Sequence, residues 1–275
     1  MAPILSRRFA AFALVFAPAL LLVSPAAEAG VGDLLVAPTR VVLDGRRGTE
    51  VILNNIGDDV ATYRVTAELR RMTPDGNLVD VTDPNSGEKA AQEMLLYAPR
   101  RITLPPNQPQ AIRLTARAPE GLPDGEYRVH MLFRAIPPPR PQVAPEKVEG
   151  VAFQLRPIYG VTIPVIIRLG RLEATAAIAN VRKVTADGKP AIALDISRAG
   201  DRSTFGAIKV FKAGVADPIA LVNGIAVYTE VGQRSVTVPI DPAQLANASG
   251  QVTVQYVEPT DTGPVTLAET TAVLR

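Results

Sequence analysis

The chain offers little that could break a covalent bond and several groups suited to gripping another polypeptide. Its 275 residues include one histidine, His130, and no cysteine. Thiol nucleophiles, disulfides and thiolate metal sites are therefore excluded. His130 lies in an alternating run, RVHMLF, and the chain has no GxSxG elbow. A strand histidine with ordinary hydrogen bonds is a plainer reading than a Ser–His–Asp triad. A metal site would need carboxylates alone, and no DxDxDG loop is present. Glu126 with Glu149, or Asp58 with Asp59, are the carboxylate pairs on offer for glycosidic chemistry, but sequence does not set their separation. No catalytic group, metal or cofactor is expected, and the chain reads as a binding protein, not an enzyme.

Two features carry binding chemistry. Arg40 follows Pro38-Thr39 in an otherwise apolar run, and a guanidinium presents a planar fork of donors that fits a carboxylate. Without further context the plainer reading is a surface arginine at a strand end, or one paired with an internal carboxylate. The second feature is the stretch 151–168, VAFQLRPIYGVTIPVIIR, which is long for a single strand. Val151, Phe153 and Leu155 alternate with Ala152 and Gln154, so one face of an extended segment is bulky and apolar. Those side chains either fill the protein's own core or complete the sheet of another chain. An edge of that kind left bare invites aggregation, so a partner, self-association or a loop must cover it.

The surrounding elements are strands. Forty-seven per cent of residues are hydrophobic, enough for two cores, and Gly, Pro, Asn and Asp turn signals recur at short intervals. Leu34–Leu43, Glu50–Asn54 and Val60–Arg71 read as strands, the last with Ala61, Tyr63 and Val65 on one face. Pro84–Gln92 reads as a polar loop, and no segment of helical period stands out. Further strands are expected over Gln110–Arg117 and Glu126–Ile136, and the proline-laden segment Pro137–Gly150 reads as an exposed connection. About seven strands in roughly 140 residues is the density of an immunoglobulin-like sandwich. A second set starts near Leu172 and closes with a weak strand over Val265–Val273, and Asn223-Gly224 is a strong two-residue hairpin signal. The fold class is all-β, two sandwiches: residues 30–169 and 170–275.

Residues 1–29 read as a signal peptide. Arg7 and Arg8 precede an apolar run from Phe9 to Val23, and Ala27-Glu28-Ala29 supplies a cleavage pattern after Ala29. The alternative is an uncleaved anchor, for which the run is short. The mature chain is expected in a periplasm, with no later membrane insertion. A formal net charge of +2 with scattered basic residues speaks against a nucleic-acid face. Aromatic content of 5% with no tryptophan leaves few platforms for sugars, which weighs against a carbohydrate-binding module.

The order of several short motifs resembles the periplasmic pilus chaperones typified by PapD. They are Pro38-Thr39-Arg40-Val41, Val51–Asn54, Pro99-Arg100 before Leu104-Pro105-Pro106, Arg113 in AIRL, LPDGEYRVHMLF and the final IIR ending at Arg168. The resemblance spans most of the first domain. It implies two immunoglobulin-like domains set at an angle with a cleft between them, and an ATP-independent chaperone of pilus or surface-fibre subunits. It further implies an outer-membrane usher as partner. It assigns Arg40 to a client carboxylate, Val151, Phe153 and Leu155 to strand pairing with the client, and Glu126 with Arg168 to an interdomain pair. The chain departs from the family at the second anchoring cation, where Pro164 or Ile163 stands in place of lysine. A structural or adhesive surface protein that keeps its strand for self-assembly is the alternative function.

Overall fold

A computed structural model describes residues 33–137 and 158–275. The stretch 1–29 read as a signal peptide, most of the proline-rich connection and Val151, Phe153 and Leu155 lie outside the described residues.

The first sandwich comprises β1 (Leu34–Ala37), β2 (Val41–Leu43), β3 (Thr49–Asn55), β4 (Ala61–Glu68), β5 (Arg70–Met72), β6 (Leu78–Asp80), helix α1 (Ser86–Met94), β7 (Leu95–Ala98), β8 (Arg101–Leu104), β9 (Pro109–Ala116), β10 (Gly125–Ile136) and β11 (Gly160–Leu169). The second holds β12 (Ala174–Ala186), β13 (Lys189–Gly200), β14 (Thr204–Phe211), β15 (Ala220–Val227), β16 (Gln233–Pro239), β17 (Gly250–Thr260) and β18 (Gly263–Leu274), with a short 3₁₀ turn at Pro242–Asn247.

In the first sandwich a sheet ordered β1-β3-β9-β7 faces one ordered β2-β11-β10-β4-β8, and β5-β6 forms a separate hairpin. Period-two alternation supplies the core. Val51, Leu53, Ile112 and Leu114 from one sheet meet Tyr63, Val65, Val129, Met131, Phe133, Ile163, Val165 and Ile167 from the other. Each such side chain contributes about 1.5–3 kcal/mol on leaving water. In the second sandwich β12-β13-β16 and β15-β14-β17-β18 enclose Ile192, Leu194, Ile196, Ile208, Val210, Val238, Val252, Val254 and Tyr256.

Several sequence expectations change in detail. The run Leu34–Leu43 is not one strand. Pro38, without an N–H, ends β1, and the chain crosses to the opposite sheet as β2, which pairs parallel to β11. The stretch read as a polar loop contains α1. Its N-cap Asn85 accepts from the Glu88 N–H, and the Glu88 carboxylate returns to the Asn85 N–H, a complete capping box. Only Ala91 and Met94 of this helix are buried, which is why no apolar stripe announced it. Asn223-Gly224 is not a hairpin turn. It is a bulge inside β15, where the register to β14 shifts between Gly206 and Ile208, and Gly224 takes a φ of +76° that favours glycine. The closing strand is not weak: β18 pairs with β17 from Gly250↔Leu274 to Thr260↔Gly263, with one bulge.

Candidate functional site at the interdomain joint and the β11 edge

The outer face of the five-stranded sheet is turned toward the second sandwich. Along β10, Val129, Met131 and Phe133 enter the first core, so Glu126, Arg128 and His130 project the other way. On β11 the same alternation sends Ile163, Val165 and Ile167 inward, while Ile166, fully buried, joins the second domain's core. Met72, from the β5-β6 hairpin, also enters that second core. The two bodies share an apolar plug with a polar rim.

Ser203, in the β13–β14 turn and fully buried, is the centre of one knot. Its N–H and hydroxyl both donate to Glu126 Oε2, at 3.0 and 2.9 Å. Its carbonyl accepts from Arg168 at 3.2 Å and from Arg202 at 3.1 Å. Arg168 Nε also donates to Glu126 Oε2 at 3.0 Å, so Glu126 and Arg168 meet within the joint. The Glu126 side chain is 1% exposed, and a carboxylate so buried is tolerable only with this many donors.

Arg40, between β1 and β2, reaches the same turn. One guanidinium nitrogen lies 3.4 Å from the Ser203 hydroxyl, and the group stacks 4.5 Å above the Phe205 ring. Its other terminal nitrogen, Nη1, is buried with no protein partner. Burial pulls the Arg40 pKa below its usual value, an effect that nearby Glu126 opposes and Arg168 reinforces. The joint thus holds a half-buried cation with donor capacity to spare, a fit for an anionic group.

A second knot forms around Arg128. Its guanidinium grips the Glu230 carboxylate with both terminal nitrogens, one at 3.0 Å, and donates to the Arg70 carbonyl at 3.1 Å. It also lies 3.7 Å over the Tyr228 ring. Glu230 in turn accepts from the Met72 N–H at 2.7 Å, and the Ser235 N–H donates to the Pro74 carbonyl at 2.8 Å. The β5-β6 hairpin is therefore an arm laid across the second sandwich. None of this was visible in the sequence. His130 does not make the ordinary hydrogen bonds expected of a strand histidine: it is 1% exposed, neither ring nitrogen has a protein partner, and its ring makes a T-shaped contact with Tyr228 at 6.3 Å. Burial, with Arg128 and Arg70 nearby, holds its pKa down to about 3.

The β11 edge lies alongside. The Ala135 N–H donates to the Tyr159 carbonyl, which fixes the phase of the antiparallel ladder with β10. Val161, Ile163, Val165 and Ile167 then bond toward β10, and Gly160, Thr162, Pro164 and Ile166 point their backbone groups to the other side. There β2 covers only Val165–Ile167, starting at Val41. Among the described residues no strand pairs with Gly160–Pro164 on that side. Pro164 therefore costs the β10 ladder nothing, since its missing donor faces outward. Ile158 and Tyr159, at 48% and 54% exposure, mark the start of this open stretch. Arg40 stands at its end.

Among the described residues no group of His, Asp and Glu is placed to hold a metal ion, and no helix is long and apolar enough to cross a membrane. No protein-family model matches the sequence, and no curated protein matches it. Solved structures do resemble it. The CupB2 chaperone of Pseudomonas aeruginosa is 13% identical, with a TM-score of 0.45 over 88% of this chain and 100% of that one. A chain of the complex of the Salmonella enterica SafA pilin with the SafB chaperone is 16% identical, with a TM-score of 0.43 over 88% and 96%. A chain of the CsuC–CsuE chaperone–tip subunit complex of Acinetobacter baumannii is 12% identical, with a TM-score of 0.43 over 88% and 98%. These three structures are described as chaperones, two of them in complex with a pilin or tip subunit, and the likeness of this all-β chain to them is one of fold.

Proposed function

We propose that the protein is an exported, periplasmic chaperone that completes the unfinished sheet of a surface-fibre subunit with its own β11 edge. One observation carries this reading: the edge from Gly160 to Pro164 is open among the described residues and runs straight into Arg40. β2 lies parallel to β11 on that side and starts at Val41, so an added strand must end where β2 begins. A cation at that point favours a chain that arrives by its carboxylate end. The incoming strand then runs parallel to β11, as β2 does, and satisfies the outward N–H and C=O groups of Gly160 and Thr162.

The upstream alternation of Val151, Phe153 and Leu155 would extend the same edge and lend apolar side chains to the client's core. No ATP is required, because burying the client's exposed groove is itself favourable. The Glu126–Arg168 pair, tied to Ser203, fixes the floor on which Arg40 rests. A single guanidinium with a free Nη1 takes the place of a two-cation grip, since Ile163 faces the first core and Pro164 carries no charge.

The test is co-expression with a secreted subunit encoded beside this chain. A one-to-one periplasmic complex is expected, with recovery lowered by Arg40→Ala and abolished by the double change Phe153→Ser, Leu155→Ser while the free protein stays folded. Self-association through the same edge with no subunit captured would instead favour a structural surface protein.

A further inference from the structure

We propose that the joint between the two sandwiches is a proton-sensitive latch, closed when His130 is neutral and opened as His130 takes up a proton. The proposal stands on the joint itself and does not depend on the chaperone reading.

His130 faces the joint, not the core of its own sandwich. Its strand neighbours Val129 and Met131 point into the first core, and its ring meets Tyr228 across the joint. Solvating the imidazole therefore requires only that the domains part, with the first sandwich left intact. The charged groups around it are already committed. Arg128, on the same strand, is bound to Glu230 of the second sandwich. Glu68 of β4, opposite His130 in the ladder, is held by Arg70 at 3.1 Å and by the Thr66 hydroxyl at 3.4 Å. On the β11 side stand Pro164, its ladder partner, and Ile166, neither of which titrates. Tyr228 meets the imidazole in a T-shaped contact. No acceptor reaches either imidazole nitrogen in the closed joint, and two guanidinium groups repel a third positive charge.

An imidazolium with two unsatisfied N–H groups between arginines is far costlier than one in water. The pKa of His130, ordinarily 6.5, falls to about 3 in the closed state. A depressed histidine pKa means the open form binds the proton. The full closing preference exists above pH 6.5 and is lost progressively as pH falls toward 3. Between pH 7.5 and pH 5 the open-to-closed ratio rises about 30-fold, the factor by which an exposed histidine outcompetes the buried one for a proton.

The sequence makes the experiment clean, because the tag-free chain has one histidine and no cysteine. The His130 Cε1–H resonance reads its titration directly, and cysteines placed at the exposed positions Glu120 and Asp217 carry spin labels for an interdomain distance. From pH 7.5 to 4.5 the distance distribution is expected to broaden to longer values while the far-ultraviolet strand signal stays constant. His130 should titrate well below 6.5. His130→Gln and His130→Leu should each hold the closed distance throughout. Titration of His130 near 6.5 with an unchanged distance, the same opening in both variants, or loss of strand signal together with the distance change would each overturn the latch.

Discussion

Ile166 and Ile167 are adjacent on β11, both fully buried, and belong to different cores. Truncating each to alanine separates folding from docking. Ile167→Ala removes three methyl(ene) groups from the first sandwich, and a change of that kind costs about 2–5 kcal/mol in a packed core. Ile166→Ala empties a site at the joint, where the facing bodies can settle together, so the lower part of that range applies, about 2–3 kcal/mol. That loss falls on docking alone and shifts the docked-to-undocked ratio about 30- to 150-fold. Calorimetry should show the Ile166 variant's unfolding dividing into two transitions, with the first sandwich's midpoint almost unmoved. The Ile167 variant should lose midpoint in the first sandwich instead. Equal loss of first-domain stability in both variants would refute the assignment of Ile166 to the joint.

Three local features give further tests. Asn55 is buried and bonds the Asp59 and Leu104 carbonyls at 2.7 and 2.9 Å and the Gly57 N–H at 3.1 Å, so Asn55→Ala should cost about 3 kcal/mol in denaturant titration. Asn85→Ala removes the α1 cap and should cost about 1 kcal/mol, mostly recovered by Asn85→Ser. A Cβ on Gly206 would lie 2.2 Å from the Val257 carbonyl oxygen at the β14–β17 approach, so Gly206→Ala should destabilise the second sandwich by about 3 kcal/mol and leave the first intact.

What could be read from the sequence was what is local. Period-two alternation in Ala61–Val65 or Val252–Tyr256 and the turn residues between strands specify two sandwiches without reference to anything distant. Some local signals have two meanings. Asn-Gly supplies a left-handed backbone to a hairpin or to a bulge, and only pairing with β14 decides for the bulge. Asn85–Glu88 is a capping box in the sequence, but α1 buries only Ala91 and Met94, so no apolar stripe marks it as a helix. The joint was beyond reach for a different reason. Ser203 to Glu126 spans 77 residues, Arg128 to Glu230 spans 102, and Met72 to Glu230 spans 158, and charged residues on strand faces carry no mark of which surface will cover them. Arg40, Glu126 and Arg168, to which the motifs point, are gathered at Ser203, but the hub itself carries no signal in the sequence.

The outward phase of β11 permits a test that distinguishes lending an edge from merely having one. The Val161 N–H bonds toward β10, whereas that of Thr162 points to the open side. Proline at either position removes one donor and fixes φ near −65°, and the preceding residue is extended in both cases, as proline requires. Thr162→Pro should therefore leave the free protein's stability within about 1 kcal/mol, since edge positions with an outward N–H accept proline and Pro164 already sits in that phase. Val161→Pro breaks the ladder between the strands that carry Phe133 and Ile163, and should cost about 3 kcal/mol or more. If a subunit strand docks on Gly160–Pro164, Thr162→Pro removes one of the two outward N–H donors, those of Gly160 and Thr162, that the strand can use. Capture in the co-expression assay should then fall at least tenfold despite a normal unfolding midpoint. Undiminished capture by a well-folded Thr162→Pro protein would place the client elsewhere, because with Pro164 already lacking a donor the change leaves Gly160 as the one outward N–H on that stretch.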